Sequence, residues 1–373
     1  MQRVIRVVCF VLAIVPFAVP VSLQAAEPHP YSGIRGAYLP MPEDGEWDHV
    51  AVDPNRDRLL LGDYTDRIVV VDTATQQVLE TVELPVGGEA LGDIQFGPDG
   101  RLFVPLDYHL LELDPETYEL VDQVSVDWSW TGPMVITSDA KSAYFANTSD
   151  IFVADLTNGI DILDLDKGAS GTTGLLGLHP EWDQGFHRAR SIFLSPDDDR
   201  LYFVGEYAAQ DQPSLQTLDG LTSGDYENGL TLKLHEVTRT EQMDSDYRIT
   251  LSSDGARLFD SFGNVWDTGS MTKIGTIPFT EWDGLSLIKI VPSPSGEVLF
   301  ALAYGKLYGH QDRAQWSGEQ LLVIDAADYT LIDLDGDAED GLTGIDLPNG
   351  GGWDSLYRSE ERRVGKECVS ECR

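Results

Sequence analysis

The chain has 373 residues, with 63 Asp+Glu against 25 Lys+Arg and a formal net charge of −38. That balance excludes a nucleic-acid binder, which needs a basic footprint to neutralise phosphate, and it argues against electrostatic docking on anionic lipid. Disorder is excluded too: 42% of residues are hydrophobic, and eight Trp and 36 Gly are spread along the chain. The acidity is mostly Asp, 41 against 22 Glu, and only seven residues are Lys. Short carboxylates with few ammonium stems suit a halophilic protein kept soluble in brine or seawater, because high net charge sustains solubility. A generally acidic secreted protein is the other reading.

Residues 1–25 read as a secretory signal peptide: Arg3 and Arg6, an apolar run from Val7 to Leu23, then small residues at Ala25 and Ala26. This predicts a periplasmic or extracellular protein with no membrane anchor after cleavage. At the other end, 358–373 (RSEERRVGKECVSECR) holds five of the 25 Lys+Arg and two of the three Cys. Nothing upstream shares that composition, so the stretch is expected to be a foreign tail. Residues 26–357 then carry 18 basic and 59 acidic residues, a net of −41, and no cysteine. A body of this size buries enough core to stand export without disulfides.

The body repeats one phrase. An apolar strand, a turn and a second apolar strand appear as HVAVDPNRDRLLLGD (49–63), DIQFGPDGRLFVPLD (93–107) and MVITSDAKSAYFAN (134–147). They return as SIFLSPDDDRLYFVG (191–205), RITLSSDGARLFDSF (248–262) and KIVPSPSGEVLFALA (289–303). The turns vary around Ser-Pro-Asp-Gly, where Pro presets φ, Asp caps the turn and Gly accepts φ > 0. A second phrase follows each copy, such as IVVVDTATQQVLETVEL (68–84) and LLELDPETYELVDQVSV (110–126). It reads as a strand, an Asp-initiated turn and another strand; 230–243 is a degraded copy. Two hairpins per repeat make a four-stranded meander, and radial repetition of such sheets is an all-β propeller. We label the strands of each blade A to D, from axis to rim.

AYLPMPEDGEWD (37–48) matches the end of unit one, VELPVGGEALGD (82–93), and IDLPNGGGWDSL (345–356). Ala37–Pro40 is then an outer strand with no A, B or C before it, and Trp353–Leu356 starts a seventh A strand. The expectation is six complete blades plus a truncated seventh, closed by the N-terminal strand; a six-bladed ring with loose ends is the alternative. Unpaired edges are a liability that propellers close.

The D-x-x-T-x-x-V-x-x-T-V segment at 72–82 and the S-P-D-x-x-x-L-Y segment at 195–202 resemble the YVTN-type propellers of the quinoprotein amine dehydrogenase-like group. The resemblance covers 37–356 and lies in fold and repeat. It implies a subunit of a periplasmic amine dehydrogenase, a surface-layer protein or a binding protein. The sequence holds no C-x-x-C-H haem attachment, Ser-His-Asp set, Gly-rich phosphate cradle or CxxC pair.

In such a meander the A–B and C–D turns share one face, and the B–C and D–A loops share the face around the channel mouth. Insertions at 167–189 (D–A), 206–229 (B–C), 304–319 (B–C) and 335–352 (D–A) are all expected on the mouth face, where binding sites concentrate. Halophilic decoration is the plainer reading of the insertions. At the mouth end of each A strand the equivalent residues are His49, Asp93, Pro133, Ser191, Arg248, Lys289 and Ser355. The next positions, from Val50 and Ile94 to Leu356, are apolar and are expected to form a layer below a polar channel mouth. Arg248 and Lys289 either hold an anionic ligand or pair with Asp246 and Asp283.

Trp-Asp recurs before A strands, at Trp47, Trp182, Trp282 and Trp353. These rings either line the mouth for sugars or organic cations or wedge between blades. His179, Trp182, His187 and Arg188 share the first insertion, where two His could bind a metal or carry a proton. In DLDGDAEDG (333–341), Asp333, Asp335 and Asp337 alternate like the first ligands of a calcium loop, with Asp340 as a further ligand. Ala338 stands where glycine is expected, and an acidic turn splitting the outer strand of blade six is the alternative. No cofactor is certain; calcium is possible. The leading expectation is a binding or scaffold propeller that recognises a small molecule or protein on the inserted-loop face. The alternative is an enzyme, a lactonase-like hydrolase or an amine dehydrogenase-type subunit.

Overall fold

The computed structural model describes residues 47–63, 66–75, 77–86, 92–106, 108–125, 132–146, 150–163, 165, 174–175, 186–207, 212–235, 248–278, 286–293, 295–304, 319–332 and 345–346. The proposed signal, Ala37–Pro40, Trp353–Leu356 and the tail lie outside them. The described strands form six antiparallel four-stranded meanders. Blade one is β1 (Trp47–Val52), β2 (Arg58–Asp63), β3 (Arg67–Asp72) and β4 (Gln77–Glu83). Blade two is β5 (Gln95–Phe96), β6 (Leu102–Leu106), β7 (His109–Leu113) and β8 (Leu120–Ser125). Blade three is β9 (Met134–Ile136), β10 (Ser142–Ala146), β11 (Ile151–Asp155) and β12 (Asp161–Ile162). Blade four is β13 (Phe186–Leu194), β14 (Arg200–Tyr207), β15 (Gln212–Asp219) and β16 (Thr231–His235). Blade five is β17 (Ile249–Leu251), β18 (Arg257–Asp260), β19 (Asn264–Asp267) and β20 (Thr272–Thr276). Blade six is β21 (Ser286–Pro292), β22 (Val298–Tyr304), β23 (Glu319–Asp325) and β24 (Ile345–Asp346).

The B and C strands read as unbroken apolar runs because both sheet faces are covered. Alternate residues of one strand enter different seams. Leu102 and Val104 of β6 pack on Leu60, Ile68 and Val70 of blade one, whereas Phe103 between them packs on Met134, Phe145 and Phe152 of blade three. The same pattern joins blades three and four through Tyr144, Val153, Leu201 and Phe203. Tyr202, Val204, Leu258 and Trp266 join blades four and five, and Phe259, Val265, Leu299 and Leu322 join five and six. Outer strands such as β4, β8 and β20 are mostly exposed.

The turns show why Asp is so common. In the A–B turns, Asp99, Asp139, Asp197 and Asp254 each accept a backbone N–H two residues on. In the C–D turns, Asp72, Asp114, Asp155, Asp267 and Asp325 do the same two or three residues on. These are side-chain-mimicked turns. The hydrogen bonds hold the carboxyls of Asp72, Asp114, Asp155 and Asp267 below their usual range.

Arginine at the start of the B strand ties each of four blades to the next. Arg58 donates to the Tyr118 hydroxyl at 2.9 Å. Arg101 donates to the carbonyls of Leu156 and Ala140 at 2.9 and 2.7 Å. Arg200 reaches the Thr268 carbonyl at 2.6 Å, and Arg257 the Ala326 carbonyl at 2.7 Å. All four contacts lie on the A–B and C–D face. Glu112, buried in the seam beside Arg101 at 3.8 Å, has its carboxyl pushed up by burial against the pull of that guanidinium.

One inserted segment falls on the other face from the one expected. β14 pairs with β15 from Arg200↔Asp219 to Tyr207↔Gln212. Residues 220–230 therefore join C to D and do not join B to C. A short 3-10 turn (Leu221–Ser223) closes this loop, the Gly220 N–H donates to the Asp199 carbonyl, and Leu221 and Leu230 bury in the seam with blade three. The apolar length of 201–207 hid a long hairpin, which periodicity alone assigned to loop. The 305–318 segment does join B to C, and the long connection between β12 and β13 does run from D to A. The outer strand of blade six is split: Leu331 bridges Ile324, and Ile345–Asp346 pairs with Leu321 and Gln320.

The inner strands β1, β5, β9, β13, β17 and β21 neighbour one another in that order. Among the described residues, β21 and β1 form no comparable junction. The blade-one face built from Val50, Leu59, Leu61, Val69 and Val71 is buried, yet no described residue of another blade joins its cluster.

Replacing Arg101 with Leu removes both carbonyl contacts to blade three. The expected loss is about 2 kcal/mol of unfolding free energy, read from the urea midpoint. A second expectation concerns acid. Lys141 Nζ, the Lys141 N–H and Thr137 Oγ1 donate to Asp139, and its carboxyl drops from 3.8 to about 2. A depressed carboxyl contributes stability above its unfolded value and loses it as pH falls through the folded one. The melting gap between wild type and Asp139→Ala is therefore full above pH 3.8 and closes as pH approaches 2.

Candidate functional site

The N-terminal ends of the six A strands lie on the face where the D–A and B–C connections emerge. Their backbones are irregular there. β1 is bulged between Trp47 and His49, so Asp48 has no partner on β2. β21 is bulged between Leu287 and Lys289, which sets Ile288 out of register. β13 carries two successive shifts, between His187 and Ala189 and between Ala189 and Ser191, so Arg188 and Arg190 both lack a partner on β14. Bulges at such rims re-aim side chains.

Two of the expected residues meet. His49 on β1 and Asp93, just before β5, bridge neighbouring blades with Nδ1 and Oδ1 3.1 Å apart. Both are partly exposed, 18% and 31% of the side chain, so the pair faces the mouth. Asp93 orients the imidazole through Nδ1, the arrangement used to fix a histidine tautomer. At the matching place in blade four, Ser191 is buried, and its hydroxyl accepts the Ile249 N–H at 3.4 Å. Arg248 is half-buried beside β17, with its backbone N–H on Ser261 Oγ at 3.1 Å. Lys289 lies within β21, on the neighbouring inner strand.

The residues expected to form an apolar layer below this ring are buried in the seams between blades. Val50, Ile94, Met134, Ile192, Ile249 and Ile290 are all buried, and from Ile94 onward each joins the cluster filling the seam to the preceding blade. Period-2 alternation sends this position sideways into the seam and not toward the axis. The segment before β9 is tightly packed here, against its own blade and against blade four. The Gly132 N–H donates to the Ala146 carbonyl at 2.7 Å, and a Cβ on Gly132 would sit 2.7 Å from that oxygen and 3.2 Å from the Ala189 carbonyl.

His187 and Arg188 do not belong to the D–A insertion: both are strand residues of β13, His187 opposite Glu206. Arg190, in the same bulged stretch, did not stand out in the sequence, because nothing in residue order marks a double register shift. Asp260 was missed as well. It is buried at the B–C turn of blade five and accepts from the N–H groups of Phe262 and Asn264, from Asn264 Nδ2 and from Trp266 Nε1. Four donors satisfy this carboxylate and fix the turn. Trp182, Trp282, His179, Asp246 and Asp283 lie outside the described residues. So do Asp333, Asp335, Asp337 and Asp340 of the acidic motif. Among the described residues no group of three or more His, Cys, Asp or Glu could hold a metal ion.

Fold and rim together define the class: a β-propeller of six described four-stranded blades. No protein-family model matches the sequence, and no curated protein matches it. Among solved structures, the β-propeller domain of Cps50 (Swd1) from Myceliophteria thermophila is similar, with a TM-score of 0.52 and 13% identity over 79% of this chain and 88% of that one. Likeness at that identity concerns the fold. The expected propeller is therefore present, and no helix among the described residues is long and apolar enough to cross a membrane.

Gly132→Ala sets a Cβ 2.7 Å from the Ala146 carbonyl of β10 in its own blade and 3.2 Å from the Ala189 carbonyl of blade four, so the backbone must shift. It is expected to cost about 2 kcal/mol, in the range typical of overpacking, read as a lowered thermal midpoint.

Proposed function

We propose that this propeller is an exported binding or scaffold protein that recognises its ligand or partner at the channel mouth, on the D–A and B–C face. The observation that carries the reading is the asymmetry between the two faces. On one face, tight Asp-capped turns and repeated arginine ties serve the blades themselves. On the other, A strands bulge, polar residues vary from blade to blade, and the 305–318 and β12–β13 connections emerge. Residues that do not recur in the repeat are free of its structural duty, and rigid scaffolds present binding loops in this way. His49 and Asp93 form one wall of the site. In this reading the seam between blades six and one takes a seventh blade, to which 37–40 supplies the outer strand. The face of blade one that is buried without any described residue of another blade supports that assignment. The YVTN-type resemblance supports a periplasmic or extracellular setting.

The test is thermal-shift screening of purified protein against carboxylates, phosphates, sugars, organic cations and peptides. A hit's stabilisation should be lost when 305–318 is replaced by a short Gly-Ser linker or when His49 and Asp93 are both Ala. It should persist in Asn228→Ala, which alters an exposed residue on the opposite face. Stabilisation that survives the mouth variants would overturn the reading.

A further inference from the structure

We propose that Asn158 is a site of spontaneous covalent modification, where the Gly159 nitrogen closes on the Asn158 side chain and converts it to aspartate or isoaspartate. The residue stands in the turn between β11 and β12 of blade three, on the A–B and C–D face. Asn-Gly is a favoured turn pair because such turns need φ > 0, and Gly159 has φ 114. The pair is also little hindered for ring closure, since glycine carries no side chain beside the attacking nitrogen. Two Asn-Gly pairs lie among the described residues, 158–159 and 228–229, and the fold holds them differently.

Asn228 sits in a locked loop. Its backbone N–H and its Nδ2 both donate to Asp225 Oδ1, at 3.1 and 3.5 Å, and the Gly229 N–H donates to the Asp225 carbonyl at 2.7 Å. A Cβ on Gly229 would lie 2.5 Å from Ser223 Oγ and 2.6 Å from that carbonyl oxygen, and Leu221 and Leu230 are buried on either side. A nitrogen held in this way cannot swing onto its neighbour's amide without local opening. Asn158 is exposed, and among the described residues no hydrogen bond of comparable geometry holds its side chain or the Gly159 N–H. This turn is fixed at its flanks instead, by blade two. Arg101 donates to the Leu156 carbonyl at 2.9 Å, and the Ile160 N–H donates to Asp122 Oδ2 at 2.9 Å. That carboxylate oxygen also lies 2.7 Å from where a Cβ on Gly159 would stand. Ile160 is buried with Phe103 and Leu110 in the seam between blades two and three.

In the reaction the Gly159 nitrogen gives its proton to water and bonds to Asn158 Cγ; the Cγ–Nδ2 bond breaks and ammonia leaves. Water then opens the cyclic imide at one carbonyl or the other. One product sets a new carboxylate beside Asp122. The other adds a methylene to the main chain between the anchored residues Leu156 and Ile160. Both work against the Ile160–Asp122 bond, the first by like charge and the second by moving the N–H off its acceptor.

The test holds the full folded chain at mildly alkaline pH and follows it by peptide mapping with mass spectrometry. Position 158 should exchange its amide for a carboxyl, as aspartate and isoaspartate, while Asn228 keeps its amide. In urea, where neither loop is fixed, the two positions should convert at similar rates. An amide at 158 that lasts as long as the one at 228 in the folded chain overturns the proposal, and so does faster loss at 228. The aged protein should also melt at a lower temperature than the fresh one. Asn158→Gln, whose longer side chain closes a ring far more slowly, should keep both its amide and its midpoint. An equal fall in the midpoint of aged Asn158→Gln, or a converted chain that melts like the fresh one, overturns the link between this position and the tie to blade two. None of these readings involves the channel mouth, so the outcome is independent of the mouth-face reading.

Discussion

A four-stranded sheet that is apolar on both faces cannot stand alone in water, and the rest of this structure follows from that constraint. Leu60 and Leu61 are neighbours on β2, and both are fully buried, on opposite faces of one sheet. Each buried aliphatic side chain contributes roughly 1.5–3 kcal/mol, so leaving one face of a blade wet is not tolerable. Neighbouring blades supply the cover, each seam filled by residues of alternate parity from the two sheets. Stability then accumulates from blade to blade, and each blade depends on the ones beside it. The same constraint is met on the other face of blade one, where Leu61, Val69 and Val71 are buried as well.

Apolar burial sets the stacking but not the angle between blades. Directional contacts at the rim supply that. An arginine at the start of β2, β6, β14 and β18 projects onto the C–D turn of the next blade, and three of the four find backbone carbonyls there. Carbonyl acceptors carry no side-chain identity, so the tie survives drift in the neighbouring turn. Asp residues meanwhile close both classes of turn from within. The large negative charge is therefore partly architectural, a carboxylate in nearly every hairpin, and partly a solubilising surface.

The two faces of the propeller differ in construction. Where the turns are short, residues recur and serve the ring. Where the A strands begin, bulges break the register and the residues differ from blade to blade. His49 and Asp93 come from strands 44 positions apart and meet only because β1 and β5 are adjacent.

Much of the architecture was legible in the residues. Recurrent Asp-Gly turns between apolar runs marked the hairpins, and the repeat marked the blades, because local turn chemistry and period-2 burial act within a few residues. The equivalence of His49, Asp93 and Ser191 could be read for the same reason: aligned turns fix where each A strand starts. The rest needed tertiary structure. The side of the ring on which 220–230 emerges depends on how far β14 and β15 pair, a long-range choice that two continuous apolar runs leave open. The sideways burial of Ile94, Met134 and Ile192 depends on a neighbouring blade that no local window contains. The acidic motif at 333–341 and the Trp-Asp pairs remain sequence features. The sequence by itself determined the repeat, the turns and the scarcity of cations. Only the packing of one blade on the next decided which polar residues share a rim, because that proximity is created by seams between segments far apart in the chain.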